Sequence, residues 1–279
     1  NEVGELLDND TILNLVRNGS NYVRDAVKVV IDAYDGSLNF YVVDEADPIL
    51  STYRKIFPRL FQGRSDTPAT VWEHFRYPHD LFILQAQMYR TYHMANPEVF
   101  YNREDLWRFP TQIYEGEQMR MDPYYLIMRL PGVDTEEFIQ ILPFTPINKD
   151  NMVSWLAGRS DGEHYGKLLL YEFPKQQLVY GPGQIEARID QNPEISEQLT
   201  LWSQQGSRVI RGDMLVIPIE QSLLYVEPVY LRAEQGELPE LRRVIVAYGN
   251  EVIMRETLEE SLTAIFGDRE LLERLDRAR

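Results

Sequence analysis

The chain has 279 residues, of which 44% are hydrophobic and 11% aromatic, and its 28 basic against 44 acidic side chains give a formal net charge of −16. A chain of this length can bury roughly 75% of its extended surface, which argues against general disorder, and its charge opposes DNA phosphates and anionic headgroups, so no nucleic-acid partner is expected. It has no cysteine, which excludes disulfides, thiolate catalysis and cysteine-bound zinc, and no run approaches the ~18 apolar residues of a membrane span.

Residues 1–25 are polar and turn-rich, with one short helix expected at Thr11–Arg17, and read as an entry arm. The chain opens at Asn1 with neither a basic n-region nor an apolar h-region and reads as a portion of something longer. "AVKVVIDAYDGSLNFYVVDE" predicts a hairpin turning at Asp35-Gly36, where glycine accepts positive φ. Asp47-Pro48 then opens a helix through about Phe57, with Asp accepting free amides and Pro in the first helical position.

A short helix is expected at Pro68–Arg76, capped by Asp66 or Thr67, and a longer one from Pro78 to Met94 with Leu81, Leu84, Met88 and Tyr92 as its core stripe. "NPEVFYNREDLWRFP" reads as a loop with a helical turn. Strands follow in "YYLIMRL", "EFIQILPF", "MVSWLAG" and "KLLLYEF", an antiparallel meander pattern. Pro182–Gln205 interrupts them with two helical turns, the second capped by Asn192 and stopped at Gly206.

Strands resume in "RVIRGDMLVIPIEQSLLYVEPVYLRA" and "ELRRVIVAYGNEVIMRE", the latter turning at Gly249-Asn250, before an amphipathic helix at Thr257–Phe266 ended by Gly267. The expected fold class is α+β, mostly antiparallel sheets with short to medium helices. Residues 26–267 read as a single body and 268–279 as a tail, with a sub-boundary available near 146–150 in the Pro-rich "PFTPINKDN".

Three of the four histidines lie between Thr70 and Met94. His74 and His79 are five apart across Pro78, the wrong spacing for a helical zinc pair. His93 lies fourteen residues beyond His79, roughly 21 Å along an unbroken helix. No metal site and no cofactor are expected.

"GRSDG" at Gly158–Gly162 matches G-x-S-x-G, but a strand rather than a helix follows it and only His164 lies downstream, so it reads as a turn. Asp8 and Asp10 lack the partners of a calcium loop, and Asp44, Glu45 and Asp47 read as strand terminators and helix caps. "RGD" at Arg211–Asp213 reads as a turn, and "GPG" at Gly181–Gly183 lacks the spacing of a phosphate loop.

Six collinear stretches, Val27–Ile49, Tyr53–Pro58, His74–Gln85, Pro146–Lys175, Gly181–Ala233 and Arg243–Met254, together resemble the uncharacterised protein family 0182 over nearly the whole chain. The resemblance implies several N-terminal transmembrane helices outside this sequence, followed by a large soluble part of which this is a late portion. It implies a cell-membrane location with this region extracytoplasmic, and supplies no catalytic or binding positions.

The favoured function is therefore an interaction or structural module, joined to the membrane through those absent spans and facing an unknown protein or envelope ligand. The alternatives are an envelope enzyme acting on lipid or glycan, and a divalent-cation-binding module using the acidic coat. If chemistry or binding occurs, the residues singled out are His74, Arg76, Tyr77 and His79 at the helix junction, since histidine titrates near neutral pH.

Overall fold

A computed structural model describes residues 19–20, 22–174, 176–204, 207–219, 222–233 and 238–267. The expected helix at Thr11–Arg17, the stop at Gly206 and the tail at 268–279 lie outside them. The chain divides into two compact units, residues 1–89 with 158–168, and residues 90–157 with 169–279. The segment 146–150 lies within the second. Both contain helices and mostly antiparallel strands, an α+β fold.

The first unit holds a three-stranded sheet ordered β1 (Val27–Ile31), β2 (Leu38–Val42) and β3 (Phe61–Gln62). β1 and β2 form the expected antiparallel hairpin with Ile31 opposite Leu38, and Gly36 takes φ +72° in its turn. Helix α1 (Pro48–Ile56) crosses from β2 to β3, which makes that pair parallel. As expected, Asp47 caps α1, its Oδ1 accepting the Leu50 N–H at 2.6 Å. Asp47 Oδ2 also accepts the Tyr22 hydroxyl at 2.5 Å. The Leu50 amide and then the Tyr22 hydroxyl hold the Asp47 carboxyl below its ordinary pKa.

The expected helix at Pro68–Arg76 shortens to α2 (Ala69–Trp72), with Pro68 in the cap position and no side-chain cap. His74 and Phe75 donate three residues back, to Val71 and Trp72, tightening the chain out of α geometry. Pro78 also disfavours the α region at Tyr77.

Helix α3 (His79–Tyr92) forms as expected, but its buried face is Phe82, Ile83 and Ala86, while Met88 and Tyr92 are exposed. The core arc, which also includes Gln87, thus lies about 160° around the helix from the Leu81/Leu84/Met88/Tyr92 stripe, nearly on the opposite face. With apolar residues on both arcs, periodicity alone could not select the buried one.

In the second unit, after α4 (Pro97–Asn102), come β4 (Trp107–Arg108), within the segment expected to be a loop with a helical turn, and β5 (Thr111–Tyr114) and β6 (Glu117–Arg120), in a segment where no element is expected from the sequence. β5 and β6 make a hairpin whose two turn residues, Glu115 (φ 51°) and Gly116 (φ 85°), both have positive φ. Glu-Gly is not the usual Asn-Gly or Asp-Gly signal for such a turn.

β7 (Tyr124–Arg129) pairs antiparallel with β8 (Glu136–Pro146), which sits in a sheet ordered β10 (Leu168–Glu172), β9 (Ser154–Arg159), β8, β4. Helices α5 (Pro182–Gln191) and α6 (Pro193–Gln204) follow, full helices rather than single turns. A second five-stranded sheet joins β11 (Ser207–Arg211), β13 (Ser222–Ala233), β14 (Glu240–Tyr248) and β15 (Glu251–Arg255), with β12 (Leu215–Ile219) also on β13.

The unit's main core includes Trp155, Ile139, Ile185, Met214, Val229 and Ile245. Helix α7 (Leu258–Phe266), capped by Thr257, covers Leu224, Val226, Val244 and Val246 with Leu262, Ile265 and Phe266.

Candidate binding cleft

The first unit contains an open cleft of about 940 Å³ lined by residues 23–25, 28–30, 70–71 and 74–81. All four residues singled out in the sequence, His74, Arg76, Tyr77 and His79, line it. The strand end supplies Arg24, Asp25 and Lys28, and the start of α3 supplies Asp80 and Leu81. Arg24 and Lys28 carry no local signal, because only the tertiary fold brings residues 23–30 to residues 70–81.

The cleft floor is built from aromatic rings. Phe75 and Tyr77 are buried, Tyr41 meets Phe75 at 5.9 Å, and Trp72 meets Phe75 and Tyr165 at 5.3 Å each. The Tyr77 hydroxyl donates to Gln85 Oε1 at 2.6 Å. Burial pushes its pKa up, so it holds its proton at neutral pH.

The polar groups around this floor are held by their own surroundings. His74 Nδ1 lies 2.7 Å from the Thr70 carbonyl, so that nitrogen carries hydrogen and Nε2 is the ring's acceptor in the neutral form. Arg76 Nη1 donates to the carbonyls of Glu73 and Phe75 at 2.8 and 3.3 Å, and Lys28 pairs with Asp25 at 2.8 Å. Arg24, Lys28 and Arg76 stand against Asp25 and Asp80, a local cationic excess in an acidic chain.

Ser160, the serine of "GRSDG", is buried in the same unit, and its Oγ accepts the backbone N–H of Tyr77 at 3.0 Å. The motif forms the expected turn after β9, with Gly166 donating to the Arg159 carbonyl. Gly158 has a local steric reason: a Cβ there would lie 2.8 Å from Tyr77 Cγ.

His93 belongs to the second unit, where its ring stacks on Trp107 with centroids 3.4 Å apart, beside a cavity of about 510 Å³. Its Nε2 lies 4.0 Å from Asp105. Among the described residues, no group of three or more His, Asp or Glu is placed to hold a metal ion. No described helix is long and apolar enough to cross a membrane.

The "RGD" arginine is buried in the second unit. Arg211 ends β11 and pairs with Glu186 and Glu227 through its guanidinium, and with Asp190 at 2.7 Å. Burial, then the Glu227 charge, pushes the Glu186 carboxyl up to about 7 against the opposing pull of Arg211, and burial raises Glu227 as well. Asp213 accepts Gln112 Nε2 at 2.6 Å, while the Gln112 carbonyl accepts the Met214 N–H at 2.9 Å, which fixes the turn. "GPG" opens α5, and a Cβ on Gly181 would lie 1.8 Å from the Asp150 carbonyl oxygen.

No solved structure matches this chain. The family model described as Uncharacterised protein family (UPF0182) matches residues 7–202. A UPF0182 protein of Trichodesmium erythraeum is 66% identical over 267 residues, 96% of this chain and 29% of that protein. One of Pelotomaculum thermopropionicum is 58% identical over 248 residues, covering 89% of this chain and 27% of the relative. One of Methanospirillum hungatei is 56% identical over 251 residues, 90% of this chain and 28% of the relative. The chain thus spans less than a third of the length of these relatives. With the family model covering most of its residues and such identities along nearly its whole length, this chain belongs to the uncharacterised protein family UPF0182.

Proposed function

We propose that this region is a non-catalytic binding module of a multi-pass membrane protein, carried outside the cytoplasm, and that the cleft of the first unit is its contact site. The observation that carries the reading is the cleft itself. His74 and His79 both line it, and the rings beneath it pack against one another. Of the groups around it, His74, Arg76 and Lys28 hydrogen-bond to residues beside them in the chain, which fixes shape and charge for a partner. The membrane tether and the extracytoplasmic side are inferred from the family likeness alone.

A photoreactive residue replacing His79 in the full-length protein, illuminated in whole cells, tests the site. One discrete adduct, absent when the same group replaces the exposed Tyr101 of the second unit, supports it. Equal, diffuse labelling at both positions contradicts it.

The presence of two imidazoles in one cleft also favours a second reading, an envelope enzyme acting on lipid or glycan. In that case a His74→Gln/His79→Gln variant keeps its adduct at a neighbouring cleft position but loses turnover of the captured ligand. A binding module shows no turnover in either form.

A further inference from the structure

The exposed face of α1 presents an unusual combination. Ile49, Tyr53, Ile56 and Phe57 recur at spacings of four, three and one, and are 51%, 51%, 59% and 48% exposed. On a helical wheel they cover an arc of about 100°, the width of the apolar stripe that normally faces a core. The core contact of α1 is made instead by its single buried residue, Leu50. Leu60, 42% exposed, follows just beyond the helix.

The charge of this segment is opposite to that of the chain. From Pro48 to Leu60 there are three cations, Arg54, Lys55 and Arg59, and no acid, in a sequence with 44 acidic residues. Arg54 pairs with Glu45, whereas Lys55 and Arg59 make no ion pair among the described residues. Arg54 and Lys55 also suit the C-terminal end of the helix dipole, but that accounts for neither Arg59 nor the apolar arc.

We infer that α1 is a membrane-interface contact, its Ile49/Tyr53/Ile56/Phe57 arc entering the headgroup and acyl boundary of an anionic bilayer while Lys55 and Arg59 meet the lipid phosphates. Apolar and aromatic residues on one side with Lys and Arg beside them are the pattern of interfacial helices. A nine-residue helix is only about 13 Å long, so its exposed arc falls far short of the roughly 800 Å² per partner of a stable protein interface. A bilayer needs no such matched area, since shallow insertion of a few side chains plus local cationic charge suffices. The net charge of −16 acts against this contact at long range and is screened beyond about 8 Å at physiological salt, which leaves the short-range cations to act. The inference does not rest on the cleft, which uses other residues.

The test is flotation of the chain with large unilamellar vesicles of phosphatidylcholine containing about 30% phosphatidylglycerol, against pure phosphatidylcholine. Binding to the anionic vesicles is expected, weakening several-fold as salt rises from about 0.05 to 0.5 M. Tyr53→Ser/Ile56→Ser and Lys55→Glu/Arg59→Glu should each raise the lipid concentration for half-binding about tenfold. These side chains are exposed, so both variants should keep the native circular dichroism, with only a small fall in Tm in Lys55→Glu/Arg59→Glu from the reversed charge at the helix C-terminus. His74→Ala/His79→Ala should bind vesicles like the unaltered chain, which separates this result from failure of the cleft reading. Three results would overturn the inference: no binding to either vesicle, equal binding by the α1 variants, or a concentration-dependent dimer in light scattering that Tyr53→Ser/Ile56→Ser abolishes, which would assign the face to a second copy of the chain.

Discussion

The hydroxyl of Ser160 accepts the backbone N–H of Tyr77 at 3.0 Å, across 83 residues of chain. This single bond ties the turn after β9 to the floor of the cleft and gives the serine of the hydrolase-like motif a structural role. Ser160→Ala leaves a buried amide without its acceptor and is expected to cost about 1–3 kcal/mol in urea denaturation. A neutral effect would mean that this bond does not hold the floor.

Gly158 is under a related constraint. In Gly158→Ala the added methyl would meet Tyr77 Cγ at 2.8 Å and Phe82 Cδ2 at 3.0 Å, both in ring systems that pack against each other. Destabilisation of about 1–3 kcal/mol is expected, with the near-ultraviolet circular dichroism of the aromatic floor altered. An unchanged spectrum and midpoint would show that the rings have room to move.

The fold was legible where the local chemistry was self-contained. Asp47-Pro48, Asp35-Gly36, Asn192-Pro193 and Gly249 each fix a cap or a turn through their own side chain or φ, and each does so in the structure. What escaped depends on distant partners. β4 exists because Trp107 and Arg108 lie opposite Pro146 and Thr145, and the buried arc of α3 depends on which apolar face finds its neighbours. The cleft was half legible: the histidine cluster named one wall, but nothing near Arg24 or Lys28 in the chain announces the other.

The buried Arg211 cluster gives a prediction about charge. Arg211→Met removes the cation that pairs with Glu186, Glu227 and Asp190, leaving the buried acids without their counter-charge, and is expected to cost about 3–5 kcal/mol at about pH 8, where they are most ionised. The loss should shrink at acid pH, where those carboxylates can protonate. A pH-independent loss would show that packing, not charge, dominates.

Glu186 adds a sign that can be checked. Its folded pKa, about 7, lies above the ordinary glutamate value, so the folded state holds a proton that the unfolded chain has already released. Its contribution to stability is fully present below the unfolded pKa and is lost as pH rises through about 7. Glu186→Gln should therefore gain Tm relative to the unaltered chain on going from pH 5 to pH 8. A difference that is constant or that shrinks over this range would contradict the raised pKa.

His74 and His79 are exposed on the cleft wall, and replacing both by alanine is expected to change stability by no more than about 0.5 kcal/mol per site. Thermal melting checks this directly. Unfolding of the double variant would mean that the two imidazoles hold the helix junction together and do not serve a partner.

The central claim is that the cleft of the first unit takes a ligand or partner. The most direct measurement is a structure of the full-length protein isolated from its native membrane without ligand exchange. The account predicts ordered density, not attributable to solvent, against His74, Arg76 and His79. A cleft filled with water alone in the intact protein would contradict it.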